Sequence, residues 1–131
     1  MIYELAVQSK TDFLIVDDSE SIRMLIGKML RTLGYETVFQ ASNAKQALSI
    51  FKERMEQSKN SIVLLDINLP DLSGDIVAKK ILGMNNAAKI ILVTAEDRNE
   101  ELTMEVIRHG AFGYIQKPIR LSTLRDILEG L

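Results

Sequence analysis

The sequence predicts an α/β fold in which one five-stranded parallel sheet carries helices on both of its faces. Two observations support this prediction. Short apolar runs of strand length alternate with amphipathic helical patterns along the chain, giving five strand–helix units without a linker between them. Three of the runs are continuous and rich in β-branched residues, as expected of strands that are buried on both faces. Strict alternation of this kind favours parallel strands joined by right-handed crossovers.

The apolar runs also predict the order of the strands. Residues 13–16, 62–65 and 90–93 are uninterrupted and suit central strands, whereas the runs at 37–39 and 112–115 are more polar at their ends and suit edges. The doubly wound order 2-1-3-4-5 places the first, third and fourth strands in the centre. In this order the winding reverses between strands 1 and 3, and ligands bind there, beyond the carboxyl ends of the strands.

Five helices are predicted from apolar residues that recur at spacings of three and four. Gly34 and Gly110 are typical of helix C-termini, and Asn43 is a candidate N-cap for the second helix. The apolar positions are, helix by helix, Ile22, Leu25, Ile26, Met29 and Leu33; Ala44, Ala47, Leu48, Phe51 and Met55; Ile76, Val77 and Ile81; Leu102, Val106 and Ile107; and Leu121, Leu124, Leu128 and Leu131.

A length of 131 residues fits one domain, which we place at 12–131 behind an N-terminal tail at 1–11. The chain is 47% hydrophobic, and its 16 basic and 18 acidic residues give a net charge of −2. This balance provides no basic surface for nucleic acid. No apolar run approaches the ~20 residues that cross a membrane, and the N-terminus lacks the basic start of a secretory signal. We therefore expect a cytoplasmic protein.

The composition also limits the chemistry. The chain has no cysteine, which excludes thiolate nucleophiles and cysteine-based metal sites, and its single histidine makes a Ser-His-Asp triad improbable. That residue, His109, falls in the last turn of the fourth predicted helix, where a cation interacts favourably with the helix dipole. Carboxylates, hydroxyls, lysines and the main chain are left to perform any reaction.

Charged and hydroxyl side chains stand at the ends of four predicted strands. They are Asp17 and Asp18, Asp66, Thr94, and Lys117. Carboxylates about 4 Å apart repel by roughly 4 kcal/mol at an effective dielectric constant near 20, unless a cation intervenes. Oxygen-only ligands favour Mg²⁺. With a lysine and a threonine beside them, these carboxylates suit a phosphoryl group, and one of them can act as its nucleophile.

Each of these residues has a simpler interpretation when it is taken alone. The Asp17-Asp18 pair could cap the first helix, Asp66 could form a turn, and Lys117 could be a solvated loop charge. Their joint placement at one edge of the sheet is what favours a phosphoryl site.

Four short motifs contain these residues: Asp17-Asp18-Ser19 followed by Arg23, Asp66-Ile67-Asn68-Leu69-Pro70 with Gly74, Val93-Thr94-Ala95, and Tyr114-Ile115-Gln116-Lys117-Pro118-Ile119. In this order and at these spacings they resemble the motifs of response-regulator receiver domains, the CheY-like phosphoacceptors of two-component signalling. The resemblance covers about residues 11–131 and implies the same flavodoxin-like fold.

The resemblance implies a role for each matching position. Asp66 would accept a phosphoryl group from the phosphohistidine of a sensor histidine kinase or a phosphotransfer protein, or from a small phosphodonor. Thr94 and Lys117 would bind the phosphoryl oxygens, and the Lys117–Pro118 bond would be cis. The ligands of Mg²⁺ would be Asp17, Asp18, Asp66 and the main-chain carbonyl of Asn68, with Asp18 as the more direct ligand of the acidic pair.

The resemblance further implies a signalling protein rather than an enzyme. Thr94 and Tyr114 would form a switch pair, in which Tyr114 moves into the space that Thr94 leaves; plain packing of Tyr114 on an edge strand is the alternative. The output partner would bind the face made by helix 4, strand 5 and helix 5, where Met104 is a candidate exposed residue. Phosphorylation could also drive homodimerisation through that face.

Three other functions remain open at this point. A degenerate receiver would act only as a docking or dimerisation module. A phosphatase with an aspartyl-phosphate intermediate would need an Asp-x-Asp spacing after strand 1, which the adjacent Asp17 and Asp18 break. A flavin binder would need a Ser/Thr/Gly-rich phosphate loop, whereas this loop presents carboxylates that repel a flavin phosphate.

Overall fold

The computed structural model describes residues 11–57, 59–95 and 100–131, which form a parallel sheet with helices on both faces. The strands are β1 (Asp12–Val16), β2 (Thr37–Ala41), β3 (Ser61–Asp66), β4 (Lys89–Thr94) and β5 (Gly113–Gln116). The helices are α1 (Glu20–Thr32), α2 (Ala44–Glu56), α3 (Gly74–Met84), α4 (Glu100–Arg108) and α5 (Leu121–Glu129). No helix within these ranges is long and apolar enough to span a membrane.

The order of the strands is β2-β1-β3-β4-β5, and every neighbouring pair is parallel. The predicted fold class and strand order are therefore confirmed, with the two more polar strands at the edges. Val16 pairs with Ala41 on one side and with Leu65 on the other. The carboxyl ends of β1, β2 and β3 consequently lie at the same edge of the sheet, which we call the carboxyl edge.

Side chains of each central strand alternate between two hydrophobic clusters, one on each face of the sheet. Leu14 and Val16 of β1 belong to the cluster covered by α2, α3 and α4, whereas Phe13 and Ile15 belong to the cluster covered by α1 and α5. All four are at most 1% exposed. Burying such a side chain contributes roughly 1.5–3 kcal/mol, so this alternation strongly specifies the register of the strands.

Helix termini agree with the prediction at three positions and differ at one. Asn43 caps α2 by accepting from the amide of Gln46, and Gly34 and Gly110 adopt the positive φ angles of 98° and 124° after α1 and α4. The N-cap of α1 is Ser19, whose hydroxyl accepts from the amide of Ile22. The interpretation of Asp17-Asp18 as a helix cap is therefore wrong, and the carboxylates of the pair remain available for other contacts.

The apolar periodicity predicted where the helices lie better than it predicted which of their apolar side chains are buried. Ile76 and Leu25 are each 40% exposed, although both belong to the apolar patterns from which their helices were predicted. Met104, for which the sequence left exposure and a core-facing position both open, is half-buried; among the described residues Leu102 and Ile107 pack against a cluster and Met104 does not. The predicted tail lies, except for Thr11, outside the described residues.

Candidate functional site

Three carboxylates meet at the carboxyl edge. Asp17 and Asp18 follow β1, Asp66 is the last residue of β3, and one oxygen of each lies within 4.8 Å of the others. Asp17 is 1% exposed and Asp66 is 4% exposed, whereas Asp18 faces solvent. Two of the three carboxylates are therefore shielded from water, and the third, Asp18, lies on the solvent side of the site.

The backbone around Asp17 is held by contacts with α1 and β2. Its amide donates to the carbonyl of Ala41 at 3.1 Å, and its own carbonyl accepts from Nη1 of Arg23 at 2.7 Å. Its Oδ1 accepts from the amide of Ser19 at 2.9 Å. Arg23, which the sequence motif included without a role, therefore fixes the turn that carries the acidic pair.

The other oxygen of Asp17 has an electrostatic partner but no well-directed hydrogen bond. Oδ2 lies 3.0 Å from Nζ of Lys117, yet among the described residues it is a buried oxygen without a hydrogen bond of good geometry. The ion pair is attractive without a directed hydrogen bond, because opposite charges at this distance attract in any orientation. The unused lone pairs of a buried carboxylate oxygen are what a cation would occupy.

Asp66 lies in a turn, and the single lysine near it does not balance the negative charges of the site. Its Oδ1 accepts from the amide of Asn68 at 3.0 Å, and its Oδ2 lies 3.5 Å from Nζ of Lys117. Burial raises the pKa of Asp66 above its ordinary value, and the charge of Asp17 raises it further, although the Asn68 amide and Lys117 oppose both. The interpretation of Asp66 as a turn former is therefore correct, but the turn involves only Oδ1 and leaves Oδ2 for other contacts.

Lys117, the residue directly after β5, supplies the ammonium of the site. Its amide donates to the carbonyl of Thr94 at 2.7 Å, and the Lys117–Pro118 bond is cis, as expected. Burial lowers the pKa of Lys117, but the close contact with the Asp17 carboxylate and the charge of Asp66 outweigh it and raise this pKa above its ordinary value. Because the ammonium pairs with both Asp17 and Asp66 instead of pointing into solvent, the interpretation of Lys117 as a solvated loop charge is wrong.

Thr94, Asn68 and Tyr114 complete the set of predicted site residues. Thr94 ends β4 beside Asp66 and is 3% exposed. Asn68 lies two residues after Asp66 and faces solvent. Tyr114, on β5, is 42% exposed, so its ring lies outside the core in this structure.

Gly74, another motif residue without a role in the sequence argument, lies directly beneath Asp66. Its amide donates to the carbonyl of Ile67 at 2.6 Å, and a Cβ added to it would lie 2.4 Å from the carbonyl oxygen of Asp66. No real side chain tolerates that distance. Only glycine at this position allows the first turn of α3 to approach the backbone of Asp66 so closely.

The donor set fits a hard divalent cation. Three carboxylates face the charge of one ammonium, and oxygen ligands with open positions suit Mg²⁺ better than zinc. Asp17, Asp18 and Asp66 could hold such an ion. The arrangement can then bring a carboxylate nucleophile, a cation and an ammonium together around one phosphoryl group.

Comparison with known proteins assigns the chain to a family. Residues 13–129 match the family model described as "Response regulator receiver domain". The chain is 33% identical over 116 residues to the chemotaxis protein CheY of Thermotoga maritima, covering 88% of this chain and 92% of that one. It is 33% identical over 117 residues to sporulation initiation phosphotransferase F of Bacillus subtilis, covering 88% of this chain and 89% of that one.

A solved receiver domain of Clostridium thermocellum superimposes with a TM-score of 0.83 at 26% identity, over 92% of each chain. The chain also matches longer two-component response regulators of Oryza sativa and Arabidopsis thaliana, of which it spans less than a quarter. Sequence, fold and the arrangement of carboxylates thus lead to the same assignment. The chain belongs to the response regulator receiver domain family.

Proposed function

We propose that this receiver accepts a phosphoryl group on Asp66, with Mg²⁺ bound by Asp17, Asp18, Asp66 and the main-chain carbonyl of Asn68. The observation that carries the proposal is the charge imbalance at the carboxyl edge, where three clustered carboxylates share one lysine. Bringing these charges together costs free energy unless a cation joins them, and a site that only stabilised the fold would have no reason to concentrate them.

The proposed reaction is an in-line transfer. A carboxylate oxygen of Asp66 attacks phosphorus, an O–P bond forms, and the N–P bond to the donor's histidine breaks, so that the imidazole leaves and takes up a proton. The ammonium of Lys117 and the hydroxyl of Thr94 bind the phosphoryl oxygens. Mg²⁺ supplies charge neutralisation between the carboxylates and the incoming phosphoryl group. Water later hydrolyses the acyl phosphate, which releases inorganic phosphate and regenerates the Asp66 carboxylate. In the proposed role the phosphorylated chain is itself the signal, so the chain acts as a phosphoacceptor and not as an enzyme with its own substrate.

The proposed output is a change in the face formed by α4, β5 and α5. Thr94 is buried at the site and Tyr114 is exposed on the neighbouring strand. A phosphoryl oxygen that binds the Thr94 hydroxyl draws it toward Asp66, and Tyr114 moves inward into the space left behind. Such a two-state element converts a local charge change into altered affinity for an output protein or a second copy of the chain. The donor is a sensor histidine kinase or a phosphotransfer protein.

Intact-mass spectrometry tests the phosphorylation directly. Incubation with acetyl phosphate and Mg²⁺ should add about 80 Da, the mass of one phosphoryl group in place of a proton, and chelation of Mg²⁺ should prevent it. Asp66→Asn should abolish the adduct, whereas Asp126→Asn, at an exposed carboxylate on α5, should leave it unchanged. A wild-type protein that takes up no phosphate under any donor would instead favour a receiver that acts only by docking.

A further inference from the structure

The segment 67–73 joins the phosphoacceptor strand β3 to α3 and carries the Asn68 carbonyl that we propose as a cation ligand. It is held at its start by the hydrogen bond from the Asn68 amide to Asp66, and at its end by the bond from the Gly74 amide to Ile67. Between these points it crosses toward α2, where Leu69 and Leu72 pack on the cluster beneath. This apolar packing holds the segment against the core, but it is not directional and does not by itself fix where the backbone of the segment lies along the surface.

Asp71, in the middle of this segment, binds the N-terminus of a different element. Its Oδ1 lies 2.8 Å from the amide of Ala44, and its Oδ2 lies 3.0 Å from the amide of Lys45. These are the first two amides of α2, while the side chain of Asn43 takes the third at 2.8 Å. Asp71 is therefore a helix cap supplied from 26 or 27 residues away, and the hydrogen bonds from these amides hold its pKa below the ordinary value.

The helix that Asp71 binds is joined to the opposite side of the site. α2 begins three residues after Ala41, the end of β2, and the carbonyl of Ala41 accepts from the amide of Asp17. A short chain of contacts thus runs from Asp71 through the start of α2 and the end of β2 to Asp17. It connects the segment that carries Asn68 with the turn that carries Asp17 and Asp18.

We propose that Asp71 is a positioning residue for the cation site, which fixes the Asn68 carbonyl relative to the acidic pair by clamping segment 67–73 to the N-terminus of α2. This inference rests on the proposed function, since it concerns the affinity of the same Mg²⁺ site. Asp71 itself faces solvent and contacts neither the cation nor the phosphoryl group. Its effect is transmitted through the backbone of the segment.

Two variants of the same helix terminus separate positioning from simple loss of a cap. Asp71→Ala removes both hydrogen bonds to α2 and frees the segment, whereas Asn43→Ala removes the third cap without touching residues 67–73. Asp71→Asn retains one acceptor and serves if Asp71→Ala does not fold. Mg²⁺ affinity is measured by calorimetric titration, and the urea midpoint of each variant is measured without Mg²⁺.

We expect Asp71→Ala to weaken Mg²⁺ binding by about 3- to 10-fold, near the lower bound for residues that orient a ligand from outside the coordination sphere. Asp71→Asn should fall between it and the wild type, and Asn43→Ala should lower the urea midpoint while leaving Mg²⁺ affinity within about 1.5-fold of wild type. Unchanged Mg²⁺ affinity in Asp71→Ala would overturn the inference, as would an equal loss in Asn43→Ala. A wild type that binds no Mg²⁺ would overturn the proposed function itself, which is a different result.

Discussion

The sheet has buried carboxylates at both of its ends, and the two ends differ in how the charge of those carboxylates is balanced. At the amino end, Asp12 is 5% exposed and is matched by one arginine, whose Nη2 and Nε lie 2.6 and 3.1 Å from its Oδ2. That arginine, Arg54, also lies over the ring of Phe39 at 4.5 Å. At the carboxyl edge, Asp17 and Asp66 are also buried and Asp18 lies beside them, but within the described part of the chain Lys117 is the one cation that forms ion pairs with this cluster.

The two ends differ in how their buried charge is balanced. The Asp12–Arg54 pair is neutral overall, and its arginine is stacked on the ring of Phe39. The carboxyl edge is acidic, and Oδ2 of Asp17 accepts no well-directed hydrogen bond from the described residues. An excess of buried charge is what a cation or phosphoryl site requires, and one-to-one pairing is what a fold requires.

The largest effect on stability is expected at the amino end. Arg54→Met leaves Asp12 buried without a partner, which should lower the free energy of unfolding by about 3–5 kcal/mol. Combining it with Asp12→Asn removes the orphaned charge and should recover most of the loss. Urea unfolding measures both. If the single variant were as stable as the wild type, the pair would not be the balanced structural contact described here.

Lys117→Ala breaks the corresponding charge contact at the carboxyl edge, with a different outcome. The phosphorylation rate with acetyl phosphate at saturating Mg²⁺ should fall by about 10²- to 10³-fold, the usual cost of removing one preorganised donor to the reacting group. Lys89→Ala, at an exposed lysine that begins β4 at the other end of the sheet, is the matched control and should not change the rate. A rate within a few-fold of wild type in Lys117→Ala would contradict the assigned role.

Gly74→Ala tests how closely α3 must approach the phosphoacceptor. The added Cβ would lie 2.5 Å from the Cα of Ile67, so the helix must shift, at a cost of about 1–3 kcal/mol. Gly83→Ala, in the same helix with nothing within 4 Å of the added atom, should instead stabilise by roughly 0.5–1 kcal/mol. Thermal unfolding of both variants measures the contrast, and equal effects would contradict the close approach.

The smallest expected effect is the pH dependence of the Asp71 clamp. Because the pKa of Asp71 is lowered below 3.8 in the folded protein, its carboxylate stabilises the fold above that pH, and this stability is lost as pH falls through the folded value. The difference in unfolding free energy between wild type and Asp71→Ala should therefore be full near neutral pH and shrink below about pH 4. A difference that stays constant on acidification would show that the charge of Asp71 is not involved.

Much of the fold was predictable because apolar runs and helical periods are local signals. The strand order followed from which runs were fully apolar, and Asn43 followed from the preference of asparagine for N-caps. The predicted site residues at the carboxyl edge are also brought together as expected, because parallel strands deliver their carboxyl ends to one edge. Ser19 rather than the acidic pair caps α1, since a cap depends on where the first turn begins, which the sequence specifies only to within a residue or two.

The contacts that sequence reasoning missed are the ones that join distant segments. Asp71 reaches α2 across 26 and 27 residues, Arg54 reaches Asp12 across 42, and the space beneath Asp66 that only Gly74 can fill is visible only after the helix is placed. No periodicity marks such pairs. The one sequence signal for such contacts was that the receiver motifs include Gly74 and Arg23, neither of which has a role in binding the cation or the phosphoryl group.

The most direct test of the account is to locate the phosphoryl group on the chain. Borohydride reduces an aspartyl phosphate to homoserine, so protein treated with acetyl phosphate and Mg²⁺, then reduced and digested, can be sequenced by tandem mass spectrometry. We predict homoserine at position 66 and unmodified aspartate at positions 12, 17 and 18. Homoserine at position 17 or 18, or at no position, would contradict the claim that the unbalanced carboxylates at the carboxyl edge serve phosphorylation of Asp66.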